Sequence, residues 1–140
     1  MERRASAQWR GGLKDGKGTV STASGAVKDV AYNFSMRFGD EPGTNPEELV
    51  AAAHAGCFSM ALSAELEKAG YRADHIETKA TLDFEKMDAG WTAKSILLDV
   101  VAKVPGADPT KFQAAADAAK KNCPISRLLK TEITLTARLT

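Results

Sequence analysis

The chain has 140 residues, 44% apolar and 26% charged, with 19 basic against 18 acidic side chains and a formal net charge of +1. That balance fits one soluble domain, residues 1–140, large enough for a real core. No basic block stands out, which argues against nucleic acid and anionic membranes as partners.

Met1-Glu2-Arg3-Arg4 leads straight into a strand-like pattern without an apolar leader, so the expected location is cytoplasmic. The longest apolar run, Leu49 to Leu66, is mostly Ala and carries His54 and Glu65, a poor composition for a membrane span. In a reducing compartment the two cysteines, Cys57 and Cys123, point to catalysis, sensing or packing before a structural staple.

Residues 4–10 alternate, with Ala5, Ala7 and Trp9 opposite Arg4, Ser6, Gln8 and Arg10, which predicts a half-buried strand. Gly11-Gly12 and Lys14 to Gly18 turn the chain into a short strand at Thr19–Thr22. Val30, Tyr32, Phe34, Met36 and Phe38 alternate again and predict a strand over 30–38, with Arg37 on its other face. The opening third reads as an antiparallel meander.

A long helix starts at Asn45, a favoured N-cap, followed by Pro46 at the first helical position and by Glu47 and Glu48 at the positive end. Gly70 ends it. Ala51, Ala52, Ala53, Ala55, Gly56 and Ala61 make it smooth and apolar on nearly all sides, which predicts burial. Ile76 to Phe84 alternate, Asp88-Ala89-Gly90 turns, and Trp91–Val104 returns as a second strand. Asp108-Pro109 opens a helix with the stripe Phe112, Ala115, Ala116 and Ala119, and Ile133, Leu135, Ala137 and Leu139 form a last strand. The predicted class is α+β, with antiparallel sheet around one long buried helix.

Cys123 precedes Pro124, so it is biased away from helical dihedrals. The helix from Pro109 should end there and a short one run from Pro124 to Lys130, with Cys123 near its N-cap. That position favours a thiolate, but a cysteine can also simply occupy a helix break. Cys57 sits mid-helix among Ala, Phe and Met, where burial raises its pKa and leaves it inert unless a cation is near. His54 and Arg37 are the candidate cations. His54, Cys57 and Cys123 could supply three zinc ligands, without an evident fourth. His75 lies in a polar connection, and no Gly-x-Ser-x-Gly supports a serine nucleophile. Glu47 complements its helix start, and ten residues of straight helix hold it about 15 Å from Cys57. If both serve one site, one of them must come from another subunit.

The run Thr44-Asn45-Pro46-Glu47-Glu48-Leu49-Val50-Ala51-Ala52-Ala53-His54-Ala55-Gly56-Cys57-Phe58-Ser59-Met60-Ala61-Leu62 resembles the signature of the OsmC/Ohr family of osmotically inducible and organic hydroperoxide resistance proteins. Gly16 to Thr22, Asn122-Cys123-Pro124-Ile125-Ser126 and Glu132 to Leu135 extend the match over essentially the whole chain. The Asn-Pro-Glu-Glu-Leu run with Ala-Ala-His-Ala before the cysteine is similar to the OsmC branch.

The resemblance implies an intertwined homodimer with two interface sites, acting as a thiol peroxidase without metal or other cofactor. Cys57 then matches the peroxidatic cysteine, Cys123 the resolving cysteine, Arg37 the arginine that stabilises the thiolate, and Glu47 the glutamate that orients it. Arg3, Arg4 and Arg10 are the alternatives to Arg37. The implied substrates are organic hydroperoxides ahead of hydrogen peroxide, with a lipoyl-type dithiol as reductant. Phe58, Met60 and Leu62 are candidates to line an apolar substrate pocket, and equally candidates for plain core. A redox sensor or ligand-binding module on the same fold is the competing reading.

Overall fold

Three short strands open the chain in the computed structural model, which describes residues 1–140. The chain divides into two units, Met1–Leu49 and Val50–Thr140.

In the first unit β1 (Ala5–Arg10), β2 (Lys17–Thr22) and β3 (Val30–Asn33) form the antiparallel meander that the alternation predicts. Trp9 pairs with Gly18 across β1 and β2, and Gly18 with Tyr32 across β2 and β3. The Trp9 and Tyr32 rings approach to 5.3 Å between centroids. A Cβ at position 18 would stand 2.7 Å from the Tyr32 ring and 2.8 Å from the Trp9 ring, so only glycine lets the two rings close over this strand. The strand β1 is exposed along its length rather than half-buried.

The strand predicted over 30–38 stops at Asn33, and one helical turn, α1 (Phe34–Phe38), replaces its second half. Asn33 decides this. Its Oδ1 accepts the Met36 N–H at 2.8 Å as an N-cap, and its amide donates to both Glu41 carboxylate oxygens at 3.0 and 3.1 Å. Phe34 and Phe38, four apart, bring their rings to 4.8 Å, a contact that a helix allows and a strand does not. The alternating apolar pattern was compatible with both periods, and the cap selects the helix.

The unit boundary falls inside α2 (Pro46–Lys68), after its first turn. Asn45 caps it through the Glu48 N–H at 2.8 Å, and Gly70 leaves it at φ +86°. By length and composition α2 is the one helix apolar enough to cross a membrane. Its stripe His54, Phe58, Leu62 and Leu66 is buried within the protein. Burial nearly all round, as predicted, is not what the single chain shows, because Ala52, Ala53, Gly56 and Met60 stay exposed. Neighbouring elements of the chain cover only one side of this helix.

The second unit carries β4 (His75–Met87), β5 (Gly90–Lys103) and β6 (Glu132–Leu139) in that order. β4 and β5 are antiparallel, with a register shift at Asp83/Phe84 beside the stacked Phe84 and Trp91 rings. β6 pairs with β5 in parallel, so the sheet is mixed where the sequence predicted antiparallel pairing throughout. The cause is the connection: α3 (Pro109–Asn122) and α4 (Pro124–Leu128) carry the chain back before β6 begins, and a crossover of that length returns a strand in the same direction. Phe58, Leu62 and Leu66 meet Ile96, Leu98 and Val100 of β5 and Phe112, Ala116 and Ala119 of α3 in one core.

Candidate active site

Four residues weighed in the sequence form two pairs, each inside one unit. In the first unit α1 presents Arg37 and the first turn of α2 presents Glu47. Arg37 donates through Nη2 to Glu47 Oε1 at 2.7 Å and through Nε to both carboxylate oxygens at 3.2 and 3.3 Å. A planar fork on a carboxylate fixes the orientation of the guanidinium as well as its position. The Arg37 guanidinium also sits 5.0 Å above the Phe38 ring.

In the second unit Cys57 of α2 and Cys123 at the α3–α4 break bring their sulfurs to 3.0 Å, both as free thiols. Cys57 is half-buried and Cys123 fully buried. Cys123 ends α3, donating its N–H to Ala119 O at 2.8 Å, and N-caps α4 as Pro124 predicts.

Two further contacts fasten this corner to α2. His54 Nε2 lies 2.8 Å from Ser126 Oγ, and Asn122 Nδ2 donates to Glu65 Oε1 at 3.2 Å. Glu65 also accepts from Lys68 Nζ at 2.9 Å, and Lys68 first and Asn122 second hold its carboxyl below the usual range. The contacts 54–126, 57–123 and 65–122 run in order down α2, so the sulfurs are bracketed on both sides.

The two thiols are not electrostatically alike. Burial pushes Cys57 up, its hydrogen bond with Cys123 pushes it further, and the Ile125 N–H only partly offsets this. Burial also works to raise Cys123, but hydrogen bonds from Cys57, from the N–H and hydroxyl of Ser126 and from the Ile125 N–H outweigh it, and its pKa falls below the ordinary thiol value. Either thiol can donate across the 3.0 Å contact. The shifts run in opposite directions, so of the two thiols Cys123 is the more readily deprotonated. Within this unit Cys57 is therefore reachable but not activated.

Of the other candidates, Phe58 and Leu62 are fully enclosed in the core, so they pack the fold and offer no surface to a substrate, while Met60 is 77% exposed. His54 is fully buried and turned to Ser126, and burial lowers its pKa, so it is neither a cation for Cys57 nor aimed at the sulfurs as a zinc ligand. No three His, Cys, Asp or Glu side chains converge as a metal site. Ser126, Asn122 and Glu65 were given no role in the sequence, although Asn122 and Ser126 lie in the family-like run around Cys123.

Residues 39–138 match the family described as OsmC-like protein. The chain is 47% identical over 139 residues to the peroxiredoxin OsmC of Escherichia coli, covering 99% of this chain and 97% of that one. The chain belongs to the OsmC family. Its fold matches the organic hydroperoxide resistance protein OhrB of Bacillus subtilis with a TM-score of 0.70 at 25% identity, over 98% of each chain. An OsmC-like protein from Mycoplasma pneumoniae shares the fold at a TM-score of 0.78 and 14% identity, over 100% of this chain and 98% of that one. The α+β fold with its two small sheets is thus the OsmC fold, and the helix motif around Cys57 and the Asn122–Ser126 motif lie inside the matched span.

Proposed function

We propose that this OsmC-family chain is a cysteine-based thiol peroxidase that reduces organic hydroperoxides and, less well, hydrogen peroxide. One observation carries the reading: an accessible and a buried thiol face each other at 3.0 Å, in a chain 47% identical to a protein named a peroxiredoxin. Cys57 is the sulfur that a peroxide can reach, since Cys123 has no exposed surface.

The Cys57 thiolate attacks one peroxide oxygen. The S–O bond forms, the O–O bond breaks, and the alkoxide leaves as an alcohol after taking a proton. Cys123 then attacks the Cys57 sulfenic acid, forming the disulfide and releasing water. A lipoyl-type dithiol reduces that disulfide by exchange and leaves as its own disulfide. Within the second unit the Ile125 N–H only partly offsets what raises the Cys57 pKa, so a thiolate there calls for a cation, and Arg37 held by Glu47 is the assigned one.

The proposed assembly is a homodimer, and the proposed location is the cytoplasm. The open face of α2 supports the dimer: Met60 is 77% exposed, and a Cβ at Gly56 would meet no atom within 4 Å. Small side chains on an apolar helix suit the close approach of a second copy. Met60 is retained as the substrate-side candidate.

The deciding experiment is mass spectrometry after one equivalent of cumene hydroperoxide. The reading requires a Cys57–Cys123 link and renewed consumption of peroxide when a dithiol is added. Oxidation that occurs once and is not renewed would make the protein a sensor instead.

A further inference from the structure

Cys123 sits on a joint that its own helices do not fix. It stands between α3 and α4 at φ −54° and ψ 123°, outside the helical region. The helix it opens, α4, has five residues, too few to be stable through its own backbone bonds. On the other side α3 reaches the core through Ala115, Ala116 and Ala119, small side chains whose apolar contacts are non-directional. Directional contacts with α2 are what can fix the place of the Cys123 sulfur.

Two such contacts exist, and the peroxidase chemistry above uses neither. On one side His54 and Ser126, the two buried polar side chains of the chain, meet at 2.8 Å from Nε2 to Oγ. His54 lies three residues before Cys57 on α2, and Ser126 three residues after Cys123 on α4. The 2.8 Å contact and the 3.0 Å sulfur contact are therefore successive rungs, one turn apart, between segments that pass in opposite directions. On the other side Asn122, the last residue of α3, donates through Nδ2 to Glu65 Oε1 at 3.2 Å. The Glu65 side chain is only 14% exposed, and Lys68 Nζ at 2.9 Å pairs its charge. A charged acceptor makes this the stronger kind of hydrogen bond.

We propose that Asn122 with Glu65, and Ser126 with His54, are positioning residues for the Cys57–Cys123 disulfide: the two clasps hold the α3–α4 joint against α2 and so raise the effective concentration of one sulfur at the other. The inference rests on the peroxidase reading and adds what keeps its second sulfur in reach. The effect is one of distance, the gain that comes from making a reaction intramolecular.

The test is a redox titration without peroxide. The reduced protein is equilibrated with mixtures of oxidised and reduced dithiothreitol, and the disulfide fraction is read by alkylation and intact mass. In this exchange the cyclic disulfide of dithiothreitol takes two electrons and two protons from Cys57 and Cys123, which become one S–S bond. Asn122→Ala and Ser126→Ala should each lower the equilibrium constant for the protein disulfide about fivefold, the worth of one ordinary hydrogen bond. Glu65→Ala should match Asn122→Ala, and Glu65→Gln, whose amide oxygen still accepts from Asn122, should recover much of the loss. Gln113→Ala removes a hydrogen bond to Asp117 on the exposed side of α3 and should leave the constant unchanged. A role in general stability would weaken the reduced and oxidised forms alike and would not move the constant. Asn122 is exposed, so should Ser126→Ala fail to fold, Asn122→Ala decides alone. An unmoved constant in either variant overturns the inference, and so does a wild type that forms no disulfide at any ratio. A wild type that forms the disulfide here but consumes no hydroperoxide overturns the peroxidase reading instead.

Discussion

The Cys57 and Cys123 sulfurs stand 3.0 Å apart although 66 positions separate them in the chain. A disulfide needs about 2.05 Å, so oxidation asks for a small movement and no unfolding. The approach is built from both sides. The stripe Phe58, Leu62 and Leu66 fixes α2 in the core, and the α3–α4 break fixes Cys123.

That relationship makes the two cysteines unequal in their variants. Cys57→Ser should abolish peroxide consumption. Cys123→Ser should form one sulfenic acid per site, trapped by dimedone, and lose turnover with dithiol. Peroxide-consumption assays with intact-mass analysis check both, and normal turnover in Cys57→Ser would remove Cys57 as the nucleophile.

Arg37→Ala should move the alkylation profile of Cys57 to higher pH, because the thiolate loses its cation. Glu47→Gln should move it in the same direction by less, since the fork that orients Arg37 is weakened while the charge stays. Iodoacetamide kinetics between pH 5 and 10, in a Cys123→Ser background, measure this directly. A wild-type profile in Arg37→Ala would exclude Arg37 and turn attention to Arg3, Arg4 and Arg10.

Phe58 and Met60 should separate cleanly. Phe58→Ala empties a fully buried site and should cost about 3–5 kcal/mol of stability. Met60→Ala, at an exposed position, should leave the stability of the single chain within about 0.5 kcal/mol, while raising KM for bulky hydroperoxides or weakening the dimer. Urea titration together with steady-state kinetics distinguishes packing from contact. A Met60→Ala variant that changes neither KM nor the dimer would release Met60 from both roles.

His54 gives the protein an acid-sensitive component. Burial lowers its pKa in the folded state, so between that value and the unfolded value of about 6.5 the unfolded chain binds more protons. Its contribution is complete above about pH 6.5 and is lost as pH falls toward the folded value. The urea midpoint should therefore drop between pH 7 and pH 5 in the wild type, and drop less in His54→Gln. Equal pH dependence in the two proteins would show that His54 is not the group involved.

Much of this protein was determined by local sequence. Asn45, Pro46 and Gly70 set the bounds of α2, Asp108 and Pro109 set the start of α3, and Pro124 forces the break that presents Cys123. Caps, prolines and turn glycines act within a few residues, so they are legible without a fold. The family resemblance likewise pointed to both cysteines and Glu47, and to Arg37 by its offset from the helix motif. Other features were decided only in three dimensions. Asn33 chose helix over strand for 34–38 by reaching Met36 and Glu41, and the α3–α4 crossover made β6 parallel. The core enclosed Phe58 and left Met60 outside. The opposite shifts of the two sulfurs were legible in part, from the helix break at Cys123 and the mid-helix place of Cys57. Their mutual contact was not, because only tertiary folding brings them to 3.0 Å across 66 positions of chain.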